Sequence, residues 1–342
     1  MHPERQKTLM STAGFYRNKD VARLFIPGQG KKDVLDRMVQ APEGNGFSPE
    51  IMLFSPMMTV DNLRHIRSKE EERIGKGDTI YWHFPKFHGW YWNKDFMPFV
   101  EQTTNIKRDP IGFLFYLPYL RNIVSPGSKE QYLEAIDNWV DVFHDANGDK
   151  SKNGQNVITV HDYTIFDRTD DGNLQINIIG KKLSELANQG FKVSVELATE
   201  GSTPPIGCPT PGHINSFLKV CHDNGFGLTL DTFNLWSIVG FSGGWIDDYF
   251  HFFGEVITEA EREKVPIHLV HFKPFDLSTS TQAVAPDESP FSYKLLRSFL
   301  DINGLSEVPI SFEIKRKYLP DDIQTILDST SNHEMMERFI TG

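Results

Sequence analysis

From Asn156 onward, short β-branched or apolar runs alternate with longer amphipathic stretches, the pattern of strand–helix units on a parallel sheet. Strands are predicted at Asn156–His161, Phe191–Leu197, Gly227–Asp231, Ile267–Phe272 and Pro309–Ile314. Helices are predicted at Leu174–Asn188, from Pro211 to Asn224 behind the N-cap hydroxyl of Thr210, at Trp245–Lys264, at Tyr293–Ile302 and at Asp321–Leu327. Earlier in the chain the strand candidates are Thr8–Phe15, Glu50–Phe54 and Thr79–Phe84. Helices are expected from Val60 to Arg73 and over Glu130–His144.

The strand candidates total eight, the number that closes a (β/α)8, or TIM, barrel. The expected fold class is therefore α/β, a single barrel domain over residues 1–342. The chain exceeds the roughly 250 residues usual for that fold, and the excess falls mainly at His88–Ser128, aromatic-rich and without a clean period. That segment reads as an insertion after the third strand, a lid or a partner surface.

Composition narrows the class of protein. Hydrophobic residues make up 39% and charged residues 24%, with 26 glycines and 20 prolines spread along the chain, which excludes global disorder. With 35 basic and 46 acidic residues the net charge is −11, which disfavours a nucleic-acid partner. Cys208 and Cys221, with twelve residues between them, form neither a disulfide framework nor a CxxC pair. Cys208 has no base beside it in sequence, so covalent catalysis is not expected. The first seven residues lack an apolar signal core, and the densest apolar run, Phe113 to Leu120, contains Pro118 and is too short to span a bilayer. A cytoplasmic protein without a membrane partner is expected. Self-association is left open.

The chemistry sits at strand ends. In a parallel barrel, the side chains at the C-terminal ends of the strands share one mouth. Glu196, Asp231, His271 and Glu313 each follow an apolar or β-branched run on four successive strands. One such carboxylate alone reads as a helix cap or an ion-pair member. Several facing one mouth would repel each other unless a cation neutralises them. Three carboxylates and one imidazole suit Mn²⁺, Mg²⁺, Co²⁺ or Zn²⁺, with the oxygen-rich set tilting toward Mn²⁺ or Mg²⁺. His83 and His161 end two earlier strands and are candidates for extending the site. Each has a competing reading, His83 as a packed core imidazole beside Trp82 and Phe84, and His161 as a substrate contact. Lys273, two residues past His271, is a candidate for substrate contact.

The order Glu, Asp, His, Glu resembles the xylose-isomerase-like barrel superfamily, which includes metal-dependent sugar isomerases, ketose 3-epimerases, inosose dehydratases and the class II apurinic endonucleases. The resemblance runs from about Thr79 to Lys315 and is carried by VSVELATEGS at 193–202, LTLDTFN at 228–234, LVHFKPFD at 269–276 and WHFPKF at 82–87. It implies that Glu196, Asp231, His271 and Glu313 ligate one divalent ion and that Glu196 and Glu313 exchange a proton. The substrate would be a small polyhydroxylated carbonyl compound, with the proton moved beside a carbonyl and hydroxyl that the ion holds. The alternatives are a metallophosphodiesterase like the class II apurinic endonucleases and a non-catalytic barrel used for binding. Two departures count against the first alternative. Asn234 stands where many members carry a histidine three residues after the aspartate, and the stretch 285–290 offers Asp287 and Glu288 but no histidine.

Overall fold

The computed structural model describes residues 8–11, 35–36, 48–53, 57–85, 128–144, 150–199, 204–273, 275 and 293–313. Eight strands close into a parallel barrel: β1 (Thr8–Ser11), β2 (Ser48–Met52), β3 (Ile80–His83), β4 (Asn156–His161), β7 (Lys192–Glu196), β8 (Gly227–Asp231), β9 (Ile267–Phe272) and β10 (Ile310–Phe312). The last strand returns to the first through Leu9 opposite Ser311, and β1 pairs on its other side with β2 through Ser11 opposite Glu50. The barrel class expected from the sequence is the fold.

Successive strand residues point to opposite faces, and here the two faces divide the chemistry. On β3, Trp82 turns outward onto Trp139 and Phe143 of the helix Lys129–Phe143, with ring centroids 5.7 and 4.5 Å away, while the next residue, His83, turns inward. Inside, a hydroxyl layer lies one step below the strand ends. Thr159 and Ser194 both bond the hydroxyl of Thr229, at 3.1 and 2.8 Å, and Ser311 donates to Glu50 at 2.5 Å. Barrel interiors are ordinarily filled by layers of branched apolar residues; this one has a polar floor.

The structure corrects several element boundaries. The predicted helix Leu174–Asn188 begins only at Ile178, because Leu174–Ile176 (β6) pairs antiparallel with Phe166–Arg168 (β5). Asn177 separates the two: its side chain accepts the N–H groups of Ile179 and Gly180, at 2.9 and 3.1 Å, and so caps the helix. Behind Thr210 the first turn, Pro211–His213, is a 3₁₀ turn, and the α-helix is Ile214–Asp223. The helix Thr232–Phe241 was not predicted, since eight of its ten residues are buried and it shows no amphipathic period. Of the expected insertion His88–Ser128, only Ser128 is described; its hydroxyl accepts the N–H of Gln131 as the N-cap of Lys129–Phe143. The remainder of that segment, residues 12–15 and 54 of the first two predicted strands, and the helix Asp321–Leu327 lie outside the described residues. Among the described residues no helix is long and apolar enough to cross a membrane.

Candidate metal centre

All parallel strands of the barrel end at the same mouth, so residues far apart in sequence meet there. His83, His161, Glu196 and Asp231 are the last residues of β3, β4, β7 and β8; His271 is next to last in β9, and Glu313 follows β10 directly. All but Glu313 are buried. The centre of the cluster is Oε2 of Glu196. It lies 3.2 Å from Nε2 of His83, 3.6 Å from Nε2 of His161 and 3.1 Å from Nδ1 of His271. Oε1 of Glu313 lies 3.6 Å from the same Nδ1. Three overlapping ligand sets result: His83 with His161 and Glu196, Glu196 with Asp231 and His271, and His83 with His271 and Glu313.

The hydrogen bonds on the far side of the rings decide what the near nitrogens offer. Nδ1 of His83 donates to the carbonyl of Phe84 at 3.1 Å, and a carbonyl can only accept. Nε2 of His271 donates to Oε1 of Glu50 at 2.8 Å. Nδ1 of His161 lies 2.8 Å from the hydroxyl of Tyr163. Nε2 of His83 is in hydrogen-bond contact with Oε2 of Glu196 at 3.2 Å, and once the inner nitrogens of His83 and His271 lose their protons each ring aims a lone pair toward that oxygen. Among the described residues Nδ1 of His271 has no hydrogen-bond partner, despite two carboxylate oxygens close by.

A divalent ion fits this donor set. Bonds of about 2.0–2.2 Å place neighbouring ligand atoms of one ion roughly 3.0–3.5 Å apart, close to the 3.1–3.6 Å separations around Glu196. Among the described residues, Glu50, Glu196, Asp231 and Glu313 set four carboxylates against one ammonium, that of Lys273, whose Nζ lies 3.3 Å from Asp231 and 3.0 Å from Glu313. Burial alone would lower the His271 imidazole, but Glu50, Glu313 and Glu196 raise it well above its ordinary value. Burial raises Asp231 to about 6 against the pull of Lys273. Glu313 is lowered to about 2, with Lys273 and then His271 outweighing the effect of burial. Such a pocket demands positive charge, as protons or as a cation.

Every site residue expected from the sequence lies at this mouth, but their contacts differ. Asn234 has no place as a ligand: its Nδ2 donates to Oε1 of Glu196 at 2.8 Å, and its backbone N–H bonds Oδ1 of Asp231 at 2.7 Å. His83 borders Glu196 about as closely as His271 does and His161 stands at 3.6 Å, which makes the donor set richer in nitrogen than the quartet suggested and better suited to Zn²⁺ or Co²⁺. Sequence reasoning missed Glu50. It opened the predicted second strand, where a carboxylate passes for an edge residue, but two residues precede it in β2 and it is fully buried.

Among the described residues, neither the serine of a nucleophile-like motif nor a cysteine serves this site as an activated nucleophile. Residues 240–244 spell G-x-S-x-G, yet Ser242 caps the end of the helix Thr232–Phe241 and its hydroxyl donates to the carbonyl of Ile238. A nucleophile elbow needs a strand-to-helix turn instead. Cys208 is buried, and burial pushes its thiol up.

No family model matches the chain, and no curated protein matches it. Among solved structures it is similar to D-psicose 3-epimerase with D-tagatose from Clostridium cellulolyticum H10, at 11% identity over 98% of this chain and 95% of that one, with a TM-score of 0.46. It is similar to D-allulose 3-epimerase from Methylomonas sp. in complex with D-allulose, at 11% identity over 99% and 95%, with a TM-score of 0.49. A xylose isomerase-like TIM barrel/4-hydroxyphenylpyruvate dioxygenase fusion protein matches at 12% identity over 98% of this chain and 44% of that one, with a TM-score of 0.42. Likeness at this level concerns the fold, which the strand pairing of this chain already defines.

Proposed function

We propose that this chain is a divalent-metal-dependent sugar isomerase or epimerase that moves a proton on a small polyhydroxylated carbonyl compound. Glu196, Asp231, His271 and Glu313 would hold the ion, with His83 and His161 beside them. When bound, a divalent ion would polarise a substrate carbonyl and acidify the neighbouring C–H.

The observation that carries the reading is the pairing of Glu313 with Lys273. Among the described carboxylates of the cluster Glu313 alone is not fully buried, and Lys273 lies 3.0 Å from it. Glu313 takes the proton from the carbon beside the carbonyl, the C–H electron pair becomes a C=C bond and the carbonyl π pair moves to its oxygen, which then gains the proton of the neighbouring hydroxyl. Lys273 supplies a hydrogen bond and positive charge where that oxygen turns anionic. The proton is then returned to carbon. Glu196, enclosed by three imidazoles and an amide, has little freedom to act as a second base. One base can serve both carbons of an aldose–ketose isomerisation, whereas epimerisation at one carbon needs a base on each face. The arrangement thus favours isomerisation.

A panel of aldoses and ketoses incubated with the Co²⁺- or Mn²⁺-loaded protein in D₂O and followed by proton NMR tests this. Deuterium should enter next to the carbonyl of one substrate, and Glu313→Gln should abolish the exchange. No exchange with any sugar would overturn the proposal.

The second reading, a metallophosphodiesterase, draws on the sharing of Glu196 by two three-ligand sets. Two ions can clamp the attacking and leaving oxygens of a displacement at phosphorus. Against it stands Asn234, bonded to Glu196 where a further ligand would be needed. Two tightly bound ions per chain together with cleavage of an abasic DNA duplex would favour this reading.

A further inference from the structure

Among the described residues, Glu50 is a fully buried carboxylate of the barrel interior that the proposed chemistry leaves without a task. It sits in β2, while its partners come from β9 and β10, across β1 in the closed barrel. Its Oε1 accepts Nε2–H of His271 at 2.8 Å, and its Oε2 accepts the hydroxyl of Ser311 at 2.5 Å. Both carboxylate oxygens are therefore committed. Burying an ion this deep is unfavourable unless its partners compensate.

A imidazole presents one nitrogen to a ligand only if its proton is kept on the other, and a carboxylate on the far nitrogen does this while making the near one more basic. Here the far nitrogen of His271 is held by Glu50, and the near one, Nδ1, faces Glu196 and Glu313 with no hydrogen bond of its own. Of the three histidines at the mouth, His83 is held by a neutral backbone carbonyl and His161 by a phenol. Behind His271 the described residues place a carboxylate.

We propose that Glu50 is a positioning residue of the centre: fixed by Ser311, it sets the ring orientation and tautomer of His271 and thereby the affinity of the site for its ion. This rests on the metal-centre reading. Glu50 meets the ion only through His271. Replacing Glu50 should weaken metal binding where His271 is present and make no difference where it is absent.

Co²⁺ titrations of the full chain, read by visible absorption and by competition with a chelator, test this in wild type, Glu50→Gln, Glu50→Ala, His271→Ala and the double variant E50Q/H271A. Wild type should bind, and Glu50→Ala should bind about 10- to 100-fold more weakly with an altered ligand-field spectrum. Glu50→Gln keeps the acceptor geometry and should fall between the two. The double variant should match His271→Ala, since two residues that act through one contact are not additive. If Glu50→Ala does not fold, Glu50→Gln and the double variant carry the test. Wild-type affinity and spectrum in Glu50→Gln, or an equal loss from E50Q in both backgrounds, would overturn the role of Glu50 and leave the metal centre standing. No Co²⁺ binding by wild type would instead overturn the metal centre itself.

Discussion

Nδ1 of His271 lies 3.1 Å from Oε2 of Glu196, and no hydrogen bond joins them. With the opposite ring nitrogen bonded to Glu50 and the near one facing Glu196 and Glu313, the ring sits among carboxylates that call for positive charge, which a proton or a bound cation supplies. Ion binding should therefore stabilise the fold. At a hundredfold excess of free ion over its Kd, linkage gives about 2.7 kcal/mol. Chemical unfolding with and without Zn²⁺ or Co²⁺ should show a gain of that order in wild type and little or none in His271→Ala.

Lys273 separates binding from turnover. Its Nζ bonds Glu313 and Asp231 but is not a ligand, since an ammonium has no lone pair. Lys273→Met should leave the ion in place and lower kcat about 10²- to 10³-fold, the loss seen when one donor to a developing oxyanion is removed. Metal content and kcat measured on the same preparation decide it; unchanged turnover would contradict the role given to Lys273.

Asp162 braces the mouth without touching the cluster's ligand atoms. It follows His161, and its two oxygens accept the backbone N–H groups of Ala198 at 3.0 Å and Gly207 at 2.6 Å, tying the end of β4 to the segments that follow β7. Asp162→Ala strands both buried donors and should cost about 2–5 kcal/mol in urea unfolding. Asp162→Asn keeps one acceptor and should cost less.

His268, on the outer part of β9, gives the fold an acid limit. Burial, aided by Lys192, lowers its imidazole from an ordinary value of 6.5 to about 4. It is thus neutral in the folded chain and protonated in the unfolded chain between those values. Its contribution is fully present above pH 6.5 and is lost as the pH falls toward 4, by up to about 3 kcal/mol. Stability measured across that window should decline in wild type and decline less in His268→Gln. Gly227 leaves room for the same ring: a Cβ there would come within 2.5 Å of His268 and 2.7 Å of the Pro266 carbonyl. Gly227→Ala should destabilise by about 1–3 kcal/mol.

The later strands were legible because each is a short apolar run that ends in a polar ligand-type residue. Asn156–His161, Gly227–Asp231 and Ile267–Phe272 match their predicted limits. The helix Thr232–Phe241 was not legible, since burial on all sides erases the period that marks an amphipathic helix. Glu50 was hidden for a related reason. Its partners are more than two hundred residues away, and nothing local distinguishes a buried carboxylate from one at a strand edge. A subtler signal was present. Thr159 and His161, Ser194 and Glu196, Thr229 and Asp231, and Ser311 and Glu313 each set a hydroxyl two residues before a ligand-type side chain. That spacing puts both on one face of a strand; the structure joins the hydroxyls of Thr159, Ser194 and Thr229 to one another, and that of Ser311 to Glu50.

The most direct test of the central claim, that the strand ends build a metal centre around Glu196, is elemental analysis of the purified protein and of Glu196→Gln after dialysis against a mixture of Mn²⁺, Co²⁺ and Zn²⁺. The wild-type chain should retain at least one equivalent of divalent ion, and Glu196→Gln, folded by circular dichroism, should lose most of it. Wild type free of metal, or a variant that retains as much as wild type, would contradict the account.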